Sequence, residues 1–141
     1  MTRFLVVQED PASLTGLTLL LRRDGFDVSP FVTGLDAVAA LAREAFDVVV
    51  TDLKMPQIDG RAVMRAARQN QPDACLIVGT AHAEGGYPEL REAGACFIAE
   101  EPIDHGAVVK AIAECRARGC CRAGSREAQA SLGVSTGLGP P

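Results

Sequence analysis

The chain has 141 residues, a formal net charge of −4 and 48% hydrophobic residues, which suits one domain with a single core. Its basic residues are scattered, whereas phosphate recognition needs clustered Lys and Arg, so we expect no nucleic-acid partner through this chain. Its apolar runs are too short to span a membrane and its first residues lack a signal-peptide layout, so we expect a cytoplasmic protein with no membrane contact.

Strand and helix patterns alternate along the chain. Apolar runs predict strands at residues 4–7, 26–31, 47–52, 75–79 and 96–99. Pro11 opens a first helix with Leu14, Leu17, Leu20 and Leu21 on one face, and Gly25 closes it. A second helix presents Leu35, Val38, Leu41 and Ala42, a third runs from Gly60 to before Pro72, and Asp104 caps a last helix bearing Val108, Ile112 and Cys115. Repeated strand-helix units predict a parallel sheet with helices on both faces.

Two segments depart from this alternation, one before the fifth strand and one at the end of the chain. Gly85, Gly86 and Pro88 occupy the place where a fourth helix should begin, and such breakers predict a helix reduced to about residues 88–92. From residue 116 the sequence becomes low in complexity. We therefore predict one domain over residues 1–117 and a tail or linker over 118–141.

The five cysteines are an odd number without CxxC spacing, which is a poor basis for a disulfide framework. Cys75 and Cys96 occupy strand positions and are expected to pack in the core. Cys115, Cys120 and Cys121 lie close together in sequence, and their role stays open because a metal would need a fourth ligand there.

Polar residues follow four of the predicted strands. They are residues 8–10, Asp52, Thr80 and Glu101. In an open parallel sheet these strand ends lie side by side at the switch point, and several carboxylates beside a hydroxyl suit Mg²⁺. The alternative is that these polar groups only cap strand ends.

The motifs resemble the receiver domain of two-component response regulators over about residues 3–117. The resemblance is carried by D-L-K-M-P-x-x-D-G from Asp52, and by Val6-Val7 before an acidic cluster, Thr80-Ala81, Gly94-Ala95 and Glu101-Pro102. It implies a flavodoxin-like α/β/α fold with a five-stranded parallel sheet in the order 2-1-3-4-5.

The resemblance also implies roles for particular residues and partners. Asp52 would be the phosphoacceptor, and Thr80 the hydroxyl that follows the phosphoryl group. Glu9, Asp52 and the Lys54 carbonyl would hold Mg²⁺, with Asp10 a further candidate ligand. A histidine kinase or phosphotransfer protein would supply the phosphoryl group and a downstream protein would read it, while a homodimer stays open.

Three departures from the family pattern bear on function. Gln8 replaces one of two acids after the first strand, and Glu101 stands where the family has Lys. Two carboxylates at ~5 Å and an effective dielectric of ~20 repel by ~3 kcal/mol, unless Glu101 swings to solvent. The third departure is the Gly85-Gly86-Tyr87-Pro88 segment where the family's fourth helix begins. The family's aromatic residue on the fifth strand corresponds to Ile98, or to Phe97 if the register slips.

These features favour a receiver with impaired or unusual phosphorylation. The competing hypothesis is a pseudo-receiver, a protein-interaction module that signals without phosphorylation. We do not expect an enzyme, because the sequence lacks an activated nucleophile with its base and a glycine-rich phosphate loop.

Overall fold

A computed structural model describes residues 2–81, 85 and 87–119 of the chain. Ten elements alternate along it: β1 (Arg3–Val7), α1 (Pro11–Arg23), β2 (Asp27–Phe31), α2 (Gly34–Arg43), β3 (Val48–Asp52), α3 (Gly60–Asn70), β4 (Cys75–Thr80), α4 (Pro88–Glu92), β5 (Phe97–Glu100) and α5 (His105–Arg118). Apolar runs form the strands, and Asp10, Thr33, Asp59 and Asp104 cap the longer helices through their side-chain oxygens.

All five strands pair in parallel, in the order β2-β1-β3-β4-β5. This confirms the predicted flavodoxin-like α/β fold. In the pairing register Val7 lies opposite Thr51, Asp52 opposite Gly79, and Thr80 opposite Glu100. The carboxyl ends of the four strands that precede the candidate residues therefore meet at one edge of the sheet.

The core forms two apolar layers, one on each face of the sheet. One layer packs α1 and α5 on the sheet, and the other packs α2, α3 and Leu90 of α4 on it. Strands at the centre are buried on both faces, which is why their sequences are continuous apolar runs rather than alternating ones.

The predicted inward face of α2 was wrong at two positions. Leu35 is 50% exposed and Ala42 is exposed, whereas Ala37, Ala40 and Leu41 are buried. This helix is apolar on more than one side, so periodicity alone selects no single stripe. Leu20 of α1 is also partly exposed, and Thr18 takes the inward position instead.

The short fourth helix is confirmed. It spans the five residues Pro88–Glu92 and begins directly after Tyr87, whose φ of 39° is left-handed. At the other end, α5 ends at Arg118, and residues 120–141 of the predicted tail lie outside the described residues. Over the ranges the structure does describe, none of the helices has the length and apolar character needed to cross a membrane.

Candidate functional site

Asp52 is the last residue of β3 and lies at the shared edge of the sheet. The chain after it is folded back by backbone hydrogen bonds: Leu53 N–H donates to the Gly79 carbonyl at 2.7 Å, and Gly60 N–H donates to the Leu53 carbonyl at 2.6 Å. An added Cβ at Gly60 would lie 2.3 Å from the Asp52 carbonyl oxygen. A glycine is therefore needed at position 60 to close this loop.

The Asp52 carboxylate is buried, with only 9% of the residue exposed. Its Oδ2 atom accepts a hydrogen bond from the Glu9 backbone N–H at 3.2 Å. Its Oδ1 atom is buried and has no hydrogen-bond partner among the described residues. A buried carboxylate oxygen without a protein partner is costly, so this oxygen is available to accept a hydrogen bond from water or to ligate a cation.

The electrostatic surroundings of Asp52 are negative. The pKa of Asp52 is raised to about 6, mainly by burial and further by the charges of Glu101, Glu9 and Asp10. The hydrogen bond from the Glu9 backbone acts in the opposite direction and lowers it. All three neighbours carry the same sign as the Asp52 carboxylate, so a cation bound here would lower the energy of the ionised site.

Glu101 follows β5, and its charge acts on Asp52. Its backbone N–H donates to the Thr80 carbonyl at 2.9 Å, and its Oε2 atom is buried without a hydrogen-bond partner in the described part of the chain. Burial raises the pKa of Glu101 and the charge of Glu9 adds to this, while a hydrogen bond from the Leu53 backbone and the charge of Lys54 lower it. One oxygen of the Glu101 carboxylate is therefore kept from solvent, while the residue as a whole is half-buried.

The other candidate metal ligands differ in their surroundings. Glu9 is exposed, and its charge acts on Asp52 and Glu101. Asp10 is the N-cap of α1, where its Oδ2 atom accepts from the backbone N–H and hydroxyl of Ser13. Those bonds lower the pKa of Asp10. Lys54 is exposed two residues after Asp52, and the role of its carbonyl stays a prediction.

Gln8 stands where the sequence pattern placed an acid, and its side chain has a structural contact. It is 1% exposed, and its Nε2 atom donates to the Ile103 carbonyl at 3.2 Å. The amide thus joins the end of β1 to the segment between β5 and α5. A carboxylate has no N–H to donate, so it could not make this bond.

The Thr80 hydroxyl is within hydrogen-bond distance of the Tyr87 hydroxyl, at 3.1 Å. Sequence reasoning missed this contact, although Tyr87 is the single tyrosine of the chain and follows Thr80 by seven residues. On β5, Ile98 pairs with Val78 and packs in the α2/α3 layer, whereas Phe97 packs in the α1/α5 layer. Side chains alternate along a strand, so Ile98 shares the face of Thr80 and Phe97 does not.

The thiol neighbours of Cys115 in the structure differ from its neighbours in the sequence. Cys115 was grouped with Cys120 and Cys121, but its Sγ atom lies within 4.8 Å of those of Cys75 and Cys96. Helix α5 turns this residue towards the sheet, where the first residue of β4 and the residue before β5 face it. Cys120 and Cys121 lie outside the described residues.

Comparisons with known proteins agree on the family. The family model described as the response regulator receiver domain matches residues 4–113. The transcriptional regulatory protein GlrR of Escherichia coli is 32% identical over 111 residues, which cover 77% of this chain and 24% of that protein. The sensor protein GacS of Pseudomonas syringae is 38% identical over 86 residues, covering 57% of this chain and 10% of GacS. The chain thus spans a quarter or less of these two relatives.

Solved structures show the same architecture. A CheY-like response regulator receiver domain protein from Methanospirillum hungatei superposes with a TM-score of 0.72 at 26% identity, covering 81% of this chain and 92% of that one. The receiver domain of the sensor histidine kinase PA1611 from Pseudomonas aeruginosa gives a TM-score of 0.67 at 26% identity, covering 77% and 92%. The latter structure has a magnesium ion coordinated in its active site cleft.

Proposed function

The chain belongs to the receiver domain family of two-component response regulators, and we propose that Asp52 is its phosphoacceptor. The observation that carries this proposal is the buried Asp52 carboxylate at the edge of the sheet, with one oxygen lacking a partner in the described residues. In this reaction an Asp52 carboxylate oxygen attacks the phosphorus atom of a phosphohistidine or small phosphodonor. The bond from phosphorus to the leaving group breaks, and an acyl phosphate forms.

We propose Mg²⁺ as the cofactor, held by Glu9, Asp52 and the Lys54 carbonyl. The donor set fits, because it consists of oxygen atoms and includes the unpartnered Asp52 Oδ1 atom. Bound there, the cation would neutralise phosphoryl oxygens that a carboxylate otherwise repels. The solved magnesium-containing receiver domain of PA1611 supports this choice.

Thr80 is proposed to respond to the phosphoryl group. Its hydroxyl is 3.1 Å from the Tyr87 hydroxyl at the start of α4. A hydrogen bond from Thr80 to a phosphoryl oxygen on Asp52 would compete with this contact. The change would therefore reach α4 through Tyr87, since β5 presents Ile98 rather than an aromatic residue on that face.

Glu101 sets how well the site accepts a phosphoryl group. Its carboxylate repels the phosphoryl oxygens, where a Lys would attract them, but it favours a divalent cation. We therefore propose impaired phosphorylation with cation binding retained. The same observation supports the second candidate, a pseudo-receiver that signals through protein contacts alone.

As partners we propose a histidine kinase or phosphotransfer protein as donor and a downstream protein that binds the phosphorylated form. The relatives include both a sensor protein and transcriptional regulators. We propose a signalling module rather than an enzyme, and its cytoplasmic location stays a prediction.

The test is phosphorylation of Asp52 by acetyl phosphate with Mg²⁺, followed by mass spectrometry, in wild type and Glu101→Lys. The substitution removes a negative charge and adds a positive one, so labelling should become faster by about 10-fold or more while Mg²⁺ affinity falls. Glu100→Lys is the matched control, because the adjacent Glu100 is exposed and the change in net charge is identical. Asp52→Asn gives the unlabelled baseline.

Two outcomes would contradict this account. If wild type labels fully and rapidly, Glu101 does not impair the site. If Glu101→Lys and Glu100→Lys behave alike, only net charge matters. Absence of labelling in both wild type and Glu101→Lys would instead favour the pseudo-receiver.

A further inference from the structure

Three buried thiols meet at the end of the sheet opposite Asp52. Cys75 is the first residue of β4, Cys96 precedes β5, and Cys115 lies on α5. Their Sγ atoms all lie within 4.8 Å of one another, and those of Cys75 and Cys115 are 2.9 Å apart. β4 separates this cluster from Thr80 by about 16 Å, since a strand rises about 3.3 Å per residue.

We propose that Cys75, Cys96 and Cys115 form a binding site for a thiophilic divalent cation, Zn²⁺. Zinc–thiolate bonds of about 2.3 Å require ligand sulfurs about 3.8–4.0 Å apart. The spacing of the three sulfurs brackets this value, so shifts of about 1 Å would seat the ion. Simple packing does not require three sulfurs from three separate elements to converge.

The surroundings suit the charge of such a complex. Binding converts three thiols and Zn²⁺ into three S–Zn bonds and releases three protons, with no change in oxidation state. The complex carries a net charge of −1, whereas Cu⁺ in the same site would leave −2. The Arg68 guanidinium is 4.0 Å from Cys96 Sγ and is fixed by hydrogen bonds to the carbonyls of Ala74 and Gly94. One guanidinium thus balances the zinc complex.

The burial of the three thiols indicates how an ion would reach the site and which ligands it would have. Cys75 and Cys115 are fully buried, and Cys96 is 7% exposed, so Cys96 marks the route by which an ion enters. The described residues supply three protein ligands, which leaves a fourth position open for water on the Cys96 side. A bound ion would join β4, β5 and α5, elements far apart in sequence.

The test uses the full chain, reduced and freed of metal, titrated with Zn²⁺ and with Co²⁺ as a spectroscopic probe. We expect one thiolate-bound ion per chain, proton release, and a thiolate-to-Co²⁺ charge-transfer band. The melting temperature should rise by about 5–10 °C at 100-fold excess over Kd. The charge-transfer band and the proton release should be unchanged in Asp52→Asn, which separates this site from the carboxylate site.

Variants identify the ligands. Cys96 is the least buried of the three thiols. Loss of an outer-shell partner weakens metal binding by about 10- to 100-fold. Cys96→Ser removes a direct ligand, so it should weaken Zn²⁺ binding by more than that. The paired change Cys120→Ser and Cys121→Ser should leave binding intact. The proposal is overturned if the band is absent from folded wild type, persists in Cys96→Ser, or disappears in the Cys120 and Cys121 variant. A Cys75–Cys115 disulfide without bound metal also overturns it. Should Cys96→Ser fail to fold, the wild-type spectrum and stoichiometry decide alone.

Discussion

Replacement of Asp52 by Asn should stabilise the folded chain at neutral pH in the absence of Mg²⁺. Burial and three like charges raise the pKa of Asp52 to about 6 from its ordinary value of 3.8. A rise of this size corresponds to about 3 kcal/mol of unfavourable free energy for the ionised form. Solvent screening at the open side of the pocket reduces this figure, so we expect a gain of about 1–2 kcal/mol.

The sign of the pH dependence follows from the direction of the shift. The folded state holds the Asp52 proton more tightly than the unfolded state, so ionisation costs stability. The cost is absent below about pH 4, grows between about pH 4 and 6, and is complete above about pH 6. The advantage of Asp52→Asn should therefore be largest at about pH 7.5 and fade towards about pH 4.

The assay is urea unfolding of both proteins with EDTA at several pH values. Glu100→Gln is the control, because Glu100 is exposed and its loss should change stability by less than about 0.5 kcal/mol. Added Mg²⁺ should stabilise wild type but not Asp52→Asn. Equal or lower stability of the variant at about pH 7.5 would refute the claim that the carboxylate is held at a cost.

Two further predictions concern the loops around the pocket. Gly60→Ala should destabilise the fold by about 2 kcal/mol or more, because its Cβ would collide with the Asp52 backbone. The control is Gly16→Ala in α1, whose Cβ would meet nothing within 4 Å and which should stabilise the fold by about 0.5–1 kcal/mol. Equal unfolding midpoints for the two alanine variants would contradict this. Asp10→Ala should lower the melting temperature through loss of the α1 cap and should weaken Mg²⁺ binding only slightly, through loss of one nearby negative charge. A loss of Mg²⁺ affinity as large as that caused by Glu9→Ala would make Asp10 a ligand.

The sheet was predictable because buried parallel strands are continuous apolar runs, and turn residues separate them from the helices. β2 shows the limit of precision. The predicted start of β2 at Phe26 is one residue early: the strand begins at Asp27, and Phe26 precedes it while its ring packs against Phe4 with centroids 4.8 Å apart. Apolar content marks burial there but not hydrogen-bond pairing.

The candidate site was predictable only in part. The strand ends had to meet, so Asp52, Thr80 and Glu101 were expected at one edge. The Thr80–Tyr87 contact and the Gln8 bond depend on how particular loops return to that edge, which spacing does not specify. The thiol cluster is a similar case, because the neighbours of Cys115 come from β4 and the residue before β5 rather than from nearby sequence.

The charges around Asp52 couple the two events of the proposed function, phosphorylation of Asp52 and binding of Mg²⁺. Asp52 has Glu9, Asp10 and Glu101 as negative neighbours that raise its pKa, and Glu101 itself is partly offset by Lys54. In a receiver with Lys at position 101, a fixed positive charge would attract a phosphoryl group whether or not Mg²⁺ were present. Here that charge is reversed, so neutralisation falls to the cation. Phosphorylation of Asp52 should consequently depend more steeply on Mg²⁺ concentration than in Glu101→Lys, which makes cation supply an input to this domain as well as a cofactor.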